Sequence, residues 1–90
     1  MDFYVWDLGY QSVGALVEIT LSGTEANVRL LDAANYSAYR AGNRHSYYGG
    51  HYGQSPIRIQ IPTTGQWFVT VDYGGYAGRG TAAVRVLAHV

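Results

Sequence analysis

The chain is built from short segments in which apolar and polar residues alternate. Ala15, Val17, Ile19 and Leu21 fall on one face, with Glu18 and Thr20 on the other, the period of two of a half-buried strand. Ser22-Gly23-Thr24 reads as a turn, after which Val28 and Leu30 face in and Asn27 and Arg29 face out, so residues 13–21 and 26–31 are predicted to pair as a hairpin. In residues 55–62, Ile57, Ile59 and Ile61 oppose Arg58 and Gln60, and the flanking Pro56 and Pro62 mark an edge strand or a strand end. Pro62-Thr63-Thr64-Gly65 is a turn by composition. Beyond it Trp67, Val69 and Val71 oppose Phe68, Thr70 and Asp72, which predicts a second hairpin. A glycine-rich loop, residues 74–80, precedes a closing strand with Ala82, Val84, Val86 and Ala88 set against Arg85 and His89. The opening strand, residues 3–8, is irregular because Asp7 shares a face with Phe3 and Val5.

Residues 33–40 make the one short helix the pattern allows, with Asp32 as N-cap and Tyr36 and Tyr39 three apart on one side. Six to eight short strands with at most one short helix predict an all-β fold, an antiparallel β-sandwich spanning residues 1–90 as one domain, with a small barrel second.

Against this scaffold, residues 32–54 alternate with nothing. They hold Tyr36, Tyr39, Tyr47, Tyr48 and Tyr52 among Asn35, Arg40, Asn43, Arg44, His45 and His51. Aromatic faces interleaved with amides and guanidinium groups suit sugar rings and nucleotide bases, which need a flat apolar platform ringed by hydrogen-bonding groups. They equally suit a protein interface, where Tyr and Arg are favoured anchors. The bland alternative is that the rings close the end of a small sandwich with their hydroxyls outward.

Composition narrows the chemistry. Ninety residues sit near the lower limit for a self-sufficient core, which leaves room for a homo-oligomer as support. The absence of cysteine excludes disulfides, thiolate zinc sites and a cysteine nucleophile. Formal charge is zero, so no broad cationic field exists for nucleic acid. All the bases are arginine, which fits planar recognition of carboxylates or rings as well as codon bias. No segment approaches the roughly 20 apolar residues of a spanning helix, and the N-terminus lacks a basic leader, so a cytoplasmic protein without membrane contact is expected.

Four stretches carry a family resemblance: Leu31-Asp32-Ala33-Ala34-Asn35-Tyr36-Ser37-Ala38-Tyr39-Arg40-Ala41-Gly42, Tyr47-Tyr48-Gly49-Gly50, Ser55-Pro56-Ile57-Arg58-Ile59-Gln60-Ile61-Pro62, and Gly65-Gln66-Trp67-Phe68-Val69-Thr70-Val71-Asp72-Tyr73-Gly74-Gly75-Tyr76. Together they resemble the bacterial family catalogued as domain of unknown function 1883. The resemblance implies a small all-β domain, sometimes joined to a TIR domain, with no assigned activity and no assigned site residues. The TIR association implies a sensing or assembly role in bacterial defence or signalling.

Catalytic constellations are not spelled out. His45 and His51, with Asp32 and His89, match no zinc signature. No serine sits in a nucleophile elbow. Gly78-x-Gly80-x-x-Ala83 imitates a dinucleotide fingerprint, but residues 82–89 alternate as a strand and open no helix. Trp67 shares a face with Val69 and Val71 and reads as core. A phosphate-binding nest with Arg79 is the alternative to a plain loop at 74–80. Asp72 is the carboxylate placed to order that loop or to meet a ligand hydroxyl.

The expectation is therefore a non-enzymatic recognition module without a cofactor. Its ligand is a polar small molecule, carbohydrate first and nucleotide second, and the residues to meet it are Tyr36, Tyr39, Arg40, Arg44, Tyr47, Tyr48, His51, Tyr52, Asp72, Tyr76 and Arg79. The alternative is a homo-oligomerisation or protein-interaction module that uses the same tyrosines.

Overall fold

A computed structural model describes residues 3–74 and 80–87. The strands are β1 (Tyr4–Gln11), β2 (Leu16–Gly23), β3 (Ala26–Asp32), β4 (Tyr48–Tyr52), β5 (Ile57–Gln60), β6 (Gly65–Asp72) and β7 (Gly80–Leu87), with helix α1 (Ala33–Arg40) between β3 and β4. They form two antiparallel sheets, a four-stranded one in the order β1-β6-β3-β4 and a three-stranded one in the order β5-β2-β7. The β-sandwich expected from the alternation is therefore the fold.

The inward faces are those the alternation assigns. Val17, Ile19, Val28, Leu30, Val69 and Val71 are fully buried, and Ile57, Ile61 and Trp67 nearly so. Opposed rows of β-branched side chains from the two sheets make this core, with Trp6, Leu8, Tyr52, Ile59 and Val84 packed around it.

Neither predicted hairpin forms. β2 and β3 lie in different sheets, as do β5 and β6. The two residues between Gly23 and Ala26 carry the chain across the sandwich, helped by Gly23 at φ 109°, a setting that other side chains rarely adopt. The inward faces of β2 and β3 thus oppose each other across the core, where a hairpin would have set them side by side. β2 pairs instead with β5 and β7.

The irregular first strand has a local cause. The register between β1 and β6 shifts between Asp7 and Gly9, a bulge in which Gly9 takes φ 69° and its amide donates to Asp7 Oδ1 at 2.9 Å. The extra residue keeps Trp6 and Leu8 against the core while Asp7 points away from it.

Strand β4 has no alternation to announce it. It is held by pairing with β3, and at Gly49 a Cβ would stand 2.2 Å from the Val28 carbonyl oxygen. Helix α1 matches its predicted bounds. Asp32 Oδ1 accepts from the Asn35 amide at 2.8 Å, and the helix ends where Gly42, at φ 77°, lets the Asn43 amide reach back to the Ala38 carbonyl at 2.8 Å. No helix among the described residues is long and apolar enough to cross a membrane.

Candidate functional site

Helix α1 lies over the outer face of the four-stranded sheet, and this changes what outward means there. Thr70 and Asp72 face away from the core yet are 0% and 1% exposed. Asp72 is the hub beneath the helix. Its Oδ2 accepts from Arg29 Nη1 at 2.6 Å and from the Tyr39 hydroxyl at 2.5 Å, and its Oδ1 accepts from Asn27 Nδ2 and the Gly74 amide, each at 2.9 Å.

Burial alone would push the Asp72 carboxyl up. Hydrogen bonds from Asn27 and Tyr39, the Arg29 charge and the Gly74 amide together outweigh it, so the group sits below the ordinary carboxylate value. The Tyr39 phenol moves the other way, raised first by burial and then by its bond to the Asp72 carboxylate. Arg29 Nε and Thr70 Oγ1 are buried without a hydrogen-bond partner among the described residues. The Arg29 guanidinium is met instead by ring faces, 5.2 Å from the Tyr39 centroid and 4.9 Å from that of Tyr47.

Asn27 extends the network to the surface. It spends its amide nitrogen on Asp72, so its oxygen faces His51 Nδ1 at 2.9 Å, and His51 Nε2 lies 2.9 Å from Glu25 Oε2. On the helix, Tyr36 stacks on Phe68 with centroids 4.3 Å apart, and Arg40 lies over the Tyr36 ring. These side chains are occupied with one another and fix the helix to the sheet.

The recess is elsewhere, at the end of the sandwich where β3 runs out and β4 begins. It has a volume of about 320 Å³. Leu30, Asp32 and Trp67 form its floor, since Leu30 and Asp32 alternate onto the inner face and Asp32 is the cross-strand partner of Trp67. Tyr47, Tyr48 and Ser46 make one wall, and Asn35 and Thr63 complete it. The Tyr48 ring meets Trp67 edge to face at 6.2 Å, and the Trp67 indole nitrogen donates to the Thr63 carbonyl at 2.8 Å. Asn35 is the latch of this corner: its Nδ2 donates to Asp32 Oδ1 at 2.9 Å, and its Oδ1 accepts the Ser46 amide at 2.8 Å.

Of the residues singled out in the sequence, the recess brings together Tyr47 and Tyr48. Tyr39 and Asp72 are bonded beneath the helix, with His51 at the far end of their network. Tyr36 and Arg40 lie on the helix, Arg44 is exposed, and Tyr52 packs against the core. Tyr76 and Arg79 lie outside the described residues, as does the rest of the glycine loop up to Gly80, so of that loop the structure describes Gly74 on Asp72. Trp67, a core residue by its alternation, is 4% exposed, but its rim also floors the recess. Asp32 and Asn35 belong to the stretch 32–54 but are not among the residues expected from the sequence to meet the ligand, and Thr63 joins the site without a sequence signal for it. Asp32 reads in the sequence as the N-cap of the helix, and Thr63 is distant along the chain.

The arrangement offers aromatic edges and faces, one carboxylate, one amide and hydroxyls in a concave site, which is equipment for binding. Among the described residues no three His, Asp or Glu side chains group to hold a metal ion. No curated protein and no solved structure matches the chain. The model of the family described as domain of unknown function (DUF1883) matches residues 1–90, the whole length, and the chain belongs to that family.

Proposed function

We propose that the protein is a non-catalytic recognition module that binds a carbohydrate in the recess between Tyr48, Trp67, Asp32 and Asn35. One observation carries the reading: a recess of about 320 Å³ that combines aromatic side chains with a carboxylate, an amide and hydroxyls, and has no basic residue in its lining among the described residues. A pyranose presents an apolar C–H face to a ring and hydroxyls to such groups. Nucleotide is the second ligand class, weakened by the lack of a cation for its phosphates. The test is calorimetric titration with a panel of monosaccharides and nucleotides. The reading expects heat from sugars that Tyr48→Ala abolishes, and it fails if neither class gives heat.

The TIR link that the family resemblance implies would suit a sensory role in bacterial defence or signalling, within the cytoplasm, which is part of this proposal. A second reading, assembly of several copies through the same aromatic stretch, is favoured by Tyr47 and Tyr48 remaining 44% and 51% exposed. Light scattering over a dilution series separates the two. A stable oligomer that Tyr48→Ala dissociates makes these rings an interface, and a monomer in both proteins removes this second reading.

A further inference from the structure

We propose that the sugar held in this recess carries a protonated amine, so that the preferred ligand is an amino sugar; the inference rests on the carbohydrate reading of the same recess. Asp32 is the residue that calls for it. Its Oδ1 takes two hydrogen bonds from Asn35, at 2.8 Å from the backbone amide and 2.9 Å from Nδ2. Its Oδ2 accepts none among the described residues, although the side chain is half-buried in the lining of the recess. A carboxylate oxygen that lines a recess and has no donor of its own is open to a charged donor from a ligand, because charge-assisted hydrogen bonds are about twice as strong as neutral ones.

The surrounding charges agree in sign. Among the described residues, the recess lining contains no Arg, Lys or His. Arg29 packs against Tyr47 and is already paired with Asp72 at 2.6 Å. The helix N-terminus contributes roughly half a positive charge, which Asp32 meets through Oδ1, so the corner remains negative on balance. Tyr48 and Trp67 line the recess with aromatic rings, a residue type that attracts cations as well as C–H groups. A phosphate or a uronic acid would meet the Asp32 carboxylate with no cation to offset it. An ammonium next to ring hydroxyls would pair with Oδ2 while the hydroxyls reach Asn35 and Thr63.

The decisive variant is Asp32→Asn. Asparagine caps helices about as well as aspartate, so the change removes the charge and leaves α1 its N-cap. The experiment titrates wild type and Asp32→Asn at mildly acidic pH with glucosamine, glucose, N-acetylglucosamine, glucose 6-phosphate and butylamine, with a thermal melt of each protein as the check on folding. The proposal expects glucosamine to bind about tenfold more tightly than glucose or N-acetylglucosamine, the worth of one charge-assisted hydrogen bond. It expects the ratio of glucosamine to glucose affinity to fall from about ten in wild type to about one in Asp32→Asn, whatever the variant does to glucose binding itself. Equal binding of glucosamine and glucose by wild type would overturn the amino-sugar inference and leave the carbohydrate reading standing. Butylamine binding as well as glucosamine would overturn it too, by showing that the cation alone suffices. No binding of any sugar would overturn both. Should Asp32→Asn melt early, Asp32→Ser, which also keeps an N-cap, takes its place with the same expectation.

Discussion

Tyr48 and Trp67 meet edge to face at the end of the sandwich, with ring centroids 6.2 Å apart and planes at 64°. Tyr48 opens β4 and is half exposed, whereas Trp67 is nearly buried, so the pair joins the core to the surface. Removing the Tyr48 ring takes away one wall of the recess and leaves the core filled. Tyr48→Ala is therefore expected to cost about 1 kcal/mol of stability, the worth of such a ring pair. It is expected to weaken ligand binding about tenfold or more, as loss of an aromatic anchor does. Chemical denaturation and calorimetry check the two effects separately.

Asn35 holds the recess in shape without supplying its bulk. Asn35→Ala removes the acceptor of the Ser46 amide and one of the two donors to Asp32. The expected result is faster hydrogen exchange at the Ser46 amide and a several-fold loss of affinity, while the β-sheet amides exchange as before. Unchanged exchange at Ser46 would remove Asn35 from its role as latch.

The hub beneath the helix makes stability depend on pH at both extremes. Because Asp72 is held below its ordinary value of 3.8, its contribution is complete above that value and is lost as pH falls through the folded-state value below it. Glu18 adds to the same acid limb. Hydrogen bonds from Arg85 and Arg58, whose side chains lie over it on the open face of the three-stranded sheet, hold it below 4.5. Tyr39 acts at the alkaline end: its phenol is raised above 10.0, so stability is complete below that pH and falls as pH rises beyond it. Tyr39→Phe should flatten the alkaline limb. At neutral pH it should cost about 1–3 kcal/mol, because a buried carboxylate loses a donor. Denaturation midpoints measured across pH test both limbs.

Gly49 tests the placement of β4. Its φ of 131° disfavours other side chains, and an added Cβ would stand 2.2 Å from the Val28 carbonyl oxygen. Gly49→Ala is expected to destabilise the fold by about 1–3 kcal/mol or to detach β4 from β3. Gly50→Ala is the control, since a Cβ there meets nothing within 4 Å, and its midpoint should stay near that of wild type.

The legible part of this chain was its inward faces. Alternation assigned Val17, Ile19, Val28, Leu30, Val69 and Val71 to the core, and the capping chemistry of Asp32 located the helix, because both signals are local. Strand partners were not legible. A two-residue link after Gly23 serves a hairpin or a corner between sheets equally well, and the choice depends on β5 and β7, which complete the sheet around β2. The same non-local step hid the site. Trp67 reaches Tyr48 only once β6 and β4 are placed on either side of β3, and Thr63 comes with Trp67. Tyrosine density pointed to the right stretch, yet it did not separate Tyr47 and Tyr48, on the recess, from Tyr39, whose ring is buried under the helix and whose hydroxyl is spent on Asp72.

The most direct measurement is a titration of the isotope-labelled protein with glucosamine, following the two tryptophan indole N–H signals. Trp67 lines the recess and Trp6 packs against the core away from it. A bound sugar should shift the Trp67 indole signal and the Ser46 and Asn35 amides in a saturable manner while the Trp6 signal stays in place. Saturable shifts confined to other parts of the protein, or no shifts at all with any sugar, would contradict the assignment of the recess as the binding site.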